Sequence, residues 1–350
     1  MADYKVFDGH NDTLLKLEIF GCSQNSDEFL NGYALTEIDL PRAQKSGFAG
    51  GFFAMWTPST LEKTDFSHFN PNDPINFAEV CQEDALRFTN RLLSRALRLE
   101  KASQDRVKIV RTVSEIRNCA ENNQLAMLMH IEGAEAIDSD FNALEVLYSA
   151  GLRSIGPVWS RNNIFAEGVP MGFPGSPDIG SGLTDAGKQL VRACNQLGVM
   201  LDLSHLNEKG FWDVAELSDA PLVATHSNVF ELCQSPRNLT DKQLAAIAES
   251  KGVVGLNYNV GFIRPDGQRN PDTELELLVR HLSYLVEKLG ENGVALGSDF
   301  DGCLLPRQIG DVTGNTALIK AMEQAQFGEK LIHRICFENW CDVLDRTLKS

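Results

Sequence analysis

Eight short apolar runs recur along the chain, each closing on or running into a polar or amphipathic residue and most followed by a stretch of helical spacing. They are Tyr4–His10, Phe48–Trp56, Leu125–Ile131, Ser154–Trp159, Val199–His205, Leu222–His226, Val253–Tyr258 and Val294–Asp299. Near-continuous Val, Ile, Leu and Phe describes strands buried on both faces, as in a parallel sheet. The spacing between the runs predicts helices. A long amphipathic segment covers 76–104. Thr184 or Asp185 opens a helix to about Leu197, Asn207 caps one to about Leu217, and Thr240 or Asp241 caps one to about Ser250. Segments 273–289 and 329–347 complete the set. Strand and helix alternate eight times with no Pro/Gly/Ser linker between them. That rhythm predicts an α/β fold, a single (β/α)8 TIM barrel spanning 1–350 as one domain. A doubly wound open sheet is the second choice, but no G-x-G-x-x-G follows the first run.

Two stretches break the rhythm, 57–75 after the second run and 160–182 after the fourth. Both follow strands at the end where a barrel builds its site, so they are expected to form lids or pocket walls.

The ends of the runs carry the chemistry. The first closes on His10-Asn11-Asp12, the third runs into Glu132, the fifth ends at His205, the sixth at His226 and the eighth at Asp299. Barrel topology brings these ends to one rim however far apart they lie in sequence. A lone histidine there is more often structural than a ligand, and a lone carboxylate is often a helix cap. Coincidence over five strands changes that balance: three of the seven histidines and three carboxylates face one small volume. Imidazole and carboxylate together suit zinc or another divalent first-row metal. Two metals need roughly six protein contacts, and one carboxylate can bridge them. His130, two residues before Glu132, is read as structural or as a residue backing the site. His68, His281 and His333 are read as structural or surface.

Composition narrows the partners. Lys+Arg is 32 against Asp+Glu 48, a formal net charge of −16. A field of that sign repels phosphate backbones and anionic lipid, so neither nucleic acid nor a membrane surface is an expected partner. The start of the chain carries no basic-then-apolar leader, and no apolar run reaches 18 residues. The eight cysteines are scattered without a C-x-x-C pair. Reduced thiols and a cytoplasmic protein are the expectation.

Taken in order, the motifs resemble the membrane (renal) dipeptidase family, the M19 metallopeptidases, in its soluble bacterial form, within the metal-dependent amidohydrolase barrels. The residues that carry the resemblance are Asp8-Gly9-His10-Asn11-Asp12, Ile131-Glu132-Gly133, Leu201-Asp202-Leu203-Ser204-His205, Thr225-His226-Ser227, Arg237-Asn238 and Gly297-Ser298-Asp299-Phe300-Asp301-Gly302. Each alone is weak; the ordered set is specific. The resemblance implies a zinc-dependent dipeptidase with two Zn2+ per chain. His10 and Asp12 would hold one, His205 and His226 the other, with Glu132 bridging and a hydroxide between them as nucleophile. It implies Asp299 as the acid/base residue, with Asp301 the weaker contender, and Arg237 as the partner of the substrate's C-terminal carboxylate. The alternative for Arg237 is an ordinary pair with a helix carboxylate such as Asp241. Asn257 is placed with Arg237 and Trp159 among the substrate-binding residues. The substrates implied are free dipeptides, often with a D-residue at the C-terminal side, and a homodimer is what the family suggests.

One departure stands out. Animal members carry a histidine after strand four in a Thr-His-Ser context, thought to bind the carbonyl oxygen of the scissile bond; here the segment reads Val158-Trp159-Ser160. Indole has one N–H and cannot take up a proton's charge. Trp159, or the nearby Arg161, Asn162 or Asn163, or the metals alone, must supply the electrophile. Two other readings stay open: a related binuclear barrel hydrolase acting on another amide, ester or lactam, and a catalytically dead barrel used for binding, which the intact ligand set opposes.

Overall fold

The computed structural model describes residues 4–20, 26–59 and 77–349. All eight predicted runs overlap a strand: β1 (Val6–Asn11), β2 (Phe48–Trp56), β4 (Leu125–Glu132), β5 (Leu152–Gly156), β6 (Met200–Leu201), β7 (Val223–Ala224), β8 (Val253–Leu256) and β9 (Val294–Leu296). A further strand that the apolar pattern did not signal, β3 (Val107–Ile109), pairs beside the first residues of β4. Every named pairing is parallel.

The sheet curls into a TIM-barrel-like ring, but its ladders do not run unbroken. One arc follows the order β1-β2-β4-β5-β6 and the other β7-β8-β9. Single parallel bridges join them, Asp202 to Val223 and Asn11 to Phe300. The evenly closed barrel expected from sequence is therefore corrected at two seams. Polar chemistry accounts for the first. Asp202 Oδ1 accepts from the backbone N–H of Ser204 (3.0 Å) and Thr225 (2.8 Å), which shortens β6 and β7. Backbone donors there serve a buried carboxylate instead of a ladder.

The helices behave largely as read. Thr184 caps Asp185–Leu197 by accepting from Gly187 N, and Asn207 caps Glu208–Leu217 by accepting from Gly210 N. Thr240 and Gln243 form a reciprocal capping box on Asp241–Glu249. The long segment near 76–104 forms Gln82–Ala102. The expected helix over 329–347 is divided by a π-helical turn, Arg334–Glu338, before Asn339–Thr347. Most of the stretch 57–75 lies outside the described residues.

Side-chain parity sets what faces the ring's interior. Phe52, Ala54 and Trp56 share one face of β2, and Leu128, His130 and Glu132 share one face of β4. Phe52 packs on Phe7 and on Trp340, and edge-on to His130, so this is the inner face. On β1 a register irregularity between Asp8 and Asn11 shifts the alternation, which lets both Phe7 and His10 point inward. Trp340, from the last helix, plugs the floor and donates its indole N–H to Leu296 O at 2.9 Å. Apolar side chains fill the lower layers and leave the polar ones to the rim at the strands' C-terminal ends.

Candidate active site

Four strands deliver the five predicted ligand residues to one point. His10 lies next to last in β1 and Asp12 follows the strand. Glu132 ends β4, while His205 and His226 follow β6 and β7. All five are at most 5% exposed. Glu132 Oε1 lies 2.9 Å from His205 Nε2, 3.3 Å from His226 Nε2 and 3.7 Å from His10 Nε2. His10 Nε2 is 3.5 Å from Asp12 Oδ2. The His10 and His226 rings stack with centroids 3.8 Å apart, and the His205 and His226 Nε2 atoms are 3.1 Å apart. His10, Glu132 and His226 bring ligand atoms within 4.8 Å of one another, as do His10, Asp12 and Asp299.

The donor set fits divalent cations on its own chemistry. Both ring nitrogens of His10 and Asp12 Oδ1 are buried without a hydrogen-bond partner, an arrangement that is costly unless another group satisfies them. The tautomer of His226 follows from its neighbours. Thr225 Oγ1 donates its hydrogen to Asp202 Oδ2 at 2.6 Å, so toward His226 Nδ1, 2.8 Å away, that oxygen accepts. Nδ1 then carries the proton and Nε2 presents a lone pair. Ser160 Oγ stands 2.8 Å from His205 Nδ1 in the same position. Two imidazole nitrogens aimed at each other and at a carboxylate are the donor types and arrangement that suit a divalent cation.

Electrostatics agree. Burial, then the charges of Arg237 and His10, hold His205 and His226 well below the usual histidine range, so both stay neutral and able to ligate. Burial acts to lower the His10 pKa, but Glu132, Asp12 and Asp299 push it up to about 10. That field favours positive charge at this point. Burial is also the main cause that lifts Asp299 to about 6, with Asp12 adding and His10, Asn257 and Arg237 opposing. His130 lies beneath the site, its Nδ1 2.9 Å from Ser154 Oγ and its ring edge-on to His10; burial holds it down at about 3.

The two aspartates of the last motif separate clearly. Asp299 joins the His10–Asp12 group and accepts from Asn257 Nδ2 at 2.9 Å. Asp301 is engaged elsewhere: Oδ2 accepts from Thr13 Oγ1 and Oδ1 from Glu37 N, each at 2.7 Å. His205, Asp299 and Asp301 all have left-handed φ values of 70°, 63° and 69°. Such backbone persists where surrounding structure enforces it. At His205 that structure includes the 160–182 stretch, whose Val169 N donates to His205 O at 2.8 Å. This hydrogen bond packs the stretch against His205.

Arg237 is buried. Its NH2 donates to His226 O (3.0 Å) and NH1 to Ser227 Oγ (3.4 Å), while Nε has no partner. Among the described residues no ion pair reaches it. Asp241, the alternative partner, binds Lys288 Nζ at 2.7 Å and Tyr284 Oη at 2.9 Å instead. Asn257 departs from expectation. Its amide nitrogen serves Asp299 and His226 O, its oxygen accepts from Asn259 N, and it is fully buried. It stands behind Asp299 and presents no free group to a substrate. Trp159 lies beside His205 with ring centroids 5.9 Å apart, edge-on to Trp56 and stacked on Phe77. Sequence reasoning missed Trp56 and the hydroxyls of Thr225 and Ser160. Thr225 and Asp202 fell inside recognised motifs, yet only coordinates place them behind an imidazole.

The profile of the membrane dipeptidase family, peptidase family M19, matches residues 1–349. The chain belongs to that family. It is therefore a metallo-dipeptidase by class, a hydrolase of peptide bonds, and the family implies dependence on metal. Two solved structures are similar along nearly the whole chain. A dipeptidase described as a metallopeptidase of family M19 is 47% identical, covers 99% of this chain and 100% of its own, and superposes with a TM-score of 0.93. A metallopeptidase from Rhodobacter sphaeroides, liganded with a phosphinate mimic of the dipeptide L-Ala-D-Ala, is 48% identical, covers 98% and 99%, and also gives 0.93. An uncharacterised protein of the pqqA 5′ region in Klebsiella pneumoniae is 48% identical over 69% of this chain and 89% of its own. No helix among the described residues of the dipeptidase is long and apolar enough to cross a membrane.

Proposed function

We propose that this dipeptidase holds two zinc ions and cleaves free dipeptides, including those with a D-residue at the C-terminal side. The observation that carries the proposal is the convergence of three imidazoles on one oxygen of Glu132, with unpartnered ligand atoms on His10 and Asp12 beside it. His10 and Asp12 would bind one cation and His205 and His226 the other, with Glu132 shared. The cations would supply Lewis acidity and make a water molecule acidic enough to attack at neutral pH. The L-Ala-D-Ala mimic on the Rhodobacter relative supports the choice of substrate.

The remaining work falls to the chain. Asp299 is the base: one carboxylate oxygen is fixed by Asn257, and the group lies against the His10–Asp12 pair. It takes the proton of the attacking water as oxygen bonds to the carbonyl carbon. It returns that proton to the amine nitrogen as the C–N bond breaks. Arg237, anchored through both terminal nitrogens and lacking a carboxylate of its own, pairs with the substrate's terminal carboxylate. That pairing limits the substrate to a dipeptide's length. The seven described cysteines, all unpaired, support a reducing, cytoplasmic setting.

The test is a panel of L-Ala-D-Ala, L-Ala-L-Ala, a tripeptide and C-terminally amidated dipeptides. The proposal expects turnover of free dipeptides and little of the amides. In Arg237→Met, kcat/KM on free dipeptides should fall about ten- to a hundred-fold, the worth of roughly 1.5–3 kcal/mol for a hydrogen bond to a charged group. Equal activity on free and amidated substrates would rule out the clamp.

A further inference from the structure

The rim holds one buried donor that the proposed mechanism leaves unused. Trp56 closes β2 in direct register with Glu132, and it shares the inner face with Phe52 and Ala54. Its indole N–H is buried and has no hydrogen-bond partner. The ring is held firmly. Its centroid lies 5.0 Å from that of Trp159 in an edge-on contact, and the Arg161 guanidinium sits 5.8 Å from it. Arg161 is itself fixed by Glu135 at 2.8 Å and Thr57 O at 2.7 Å. A buried donor without a partner lowers stability, so one that ends the strand paired with Glu132 points to a group that arrives with the substrate.

Topology and chemistry identify the group. Counting through both seams, β2 stands four strands from β7 in either direction, so Trp56 ends a strand across the ring from the one that leads into His226, whose carbonyl holds Arg237. A dipeptide whose carboxylate pairs with Arg237 therefore runs toward Trp56. Every free dipeptide has a carboxylate, an ammonium and one peptide group. The carboxylate is taken, and the ammonium and the peptide N–H only donate. The peptide carbonyl oxygen is the acceptor that remains. We infer that Trp56 Nε1–H donates a hydrogen bond to the scissile carbonyl oxygen and holds it as negative charge develops there. Trp56 thus takes over a task that Trp159 inherits by sequence position. No proton leaves the indole; it stabilises the oxygen while Asp299 moves the proton. This inference rests on the dipeptidase reading.

Trp56→Phe keeps the aromatic packing and deletes the donor. Loss of one oxyanion donor costs roughly 10²–10³-fold in kcat. A fall of about 10²-fold on L-Ala-D-Ala is expected, with KM nearly constant and zinc content and melting temperature as in the parent. The inhibition constant of a phosphinate dipeptide mimic, whose tetrahedral oxygen stands in for the oxyanion, should rise by the factor that kcat/KM falls. Trp56→His, which keeps a ring N–H, should recover part of the loss. It also gives a second comparison should the phenylalanine variant fold poorly. Parental kcat and phosphinate affinity in Trp56→Phe would overturn the inference. So would a loss confined to KM with phosphinate binding unchanged, which would make Trp56 a packing wall. A parent enzyme that hydrolyses no dipeptide fails the dipeptidase reading itself, before any variant is compared.

Discussion

At the scale of the residue, the structure separates groups that a motif cannot. Asp299 and Asp301 are two positions apart and chemically identical, yet only Asp299 offers its carboxylate to the His10–Asp12 group. Asp299→Asn should keep zinc and fold and lose about 10²–10⁴-fold in kcat, the usual worth of a general base. Asp301→Asn should instead lower the melting temperature, because its oxygens tie Thr13 to Glu37; steady-state kinetics beside thermal unfolding separates the two. The relay from Asp202 through Thr225 to His226 yields a second expectation. Removing a partner behind a metal-binding imidazole typically costs about 10–100-fold in metal affinity or activity. Thr225→Val should show that loss when the metal-free protein competes with a chelator for zinc, and unchanged affinity would refute the relay. The candidate ligand residues were legible in sequence because each stands at or just past the end of an apolar run. Trp56 was not, since an indole at the end of such a run reads as core; nor was the burial of Asn257 behind Asp299, which depends on where two neighbouring strands place their ends.

At the scale of the element, apolar runs located eight strands because burial on both faces leaves a continuous signature in sequence. They did not locate β3, whose three residues are too few to carry a pattern. Nor did they show that β6 and β7 shrink to two residues each, because the cause is a carboxylate, Asp202, competing for backbone donors. The loop after β9 sets a glycine directly against two of the site's carboxylates. A Cβ on Gly302 would collide with Asp12 Oδ2 and Asp299 Oδ1. A displacement of about 1 Å at reacting groups can cost 10²-fold in rate. Gly302→Ala should therefore retain its circular dichroism spectrum and lose roughly that factor in kcat; full activity would show that the loop yields without disturbing the two carboxylates.

At the scale of the molecule, a ring of parallel strands converts residues spread from His10 to Asp299 into one buried cluster, floored by Trp340 and with the 160–182 stretch packed against His205. The negative surface and the charge-dense centre are separate matters. Most of the −16 net charge can be lost to screening within roughly 8–10 Å at moderate salt, whereas the field at His10 arises from carboxylates in contact with it. That field is what the account holds to be a two-cation site, and stoichiometric reconstitution addresses it directly. Zinc added stepwise to the metal-free protein, with L-Ala-D-Ala hydrolysis followed at each step, should raise activity from near zero to a plateau at two equivalents per chain. Full activity in the metal-free protein, or a plateau reached at one equivalent, would contradict it.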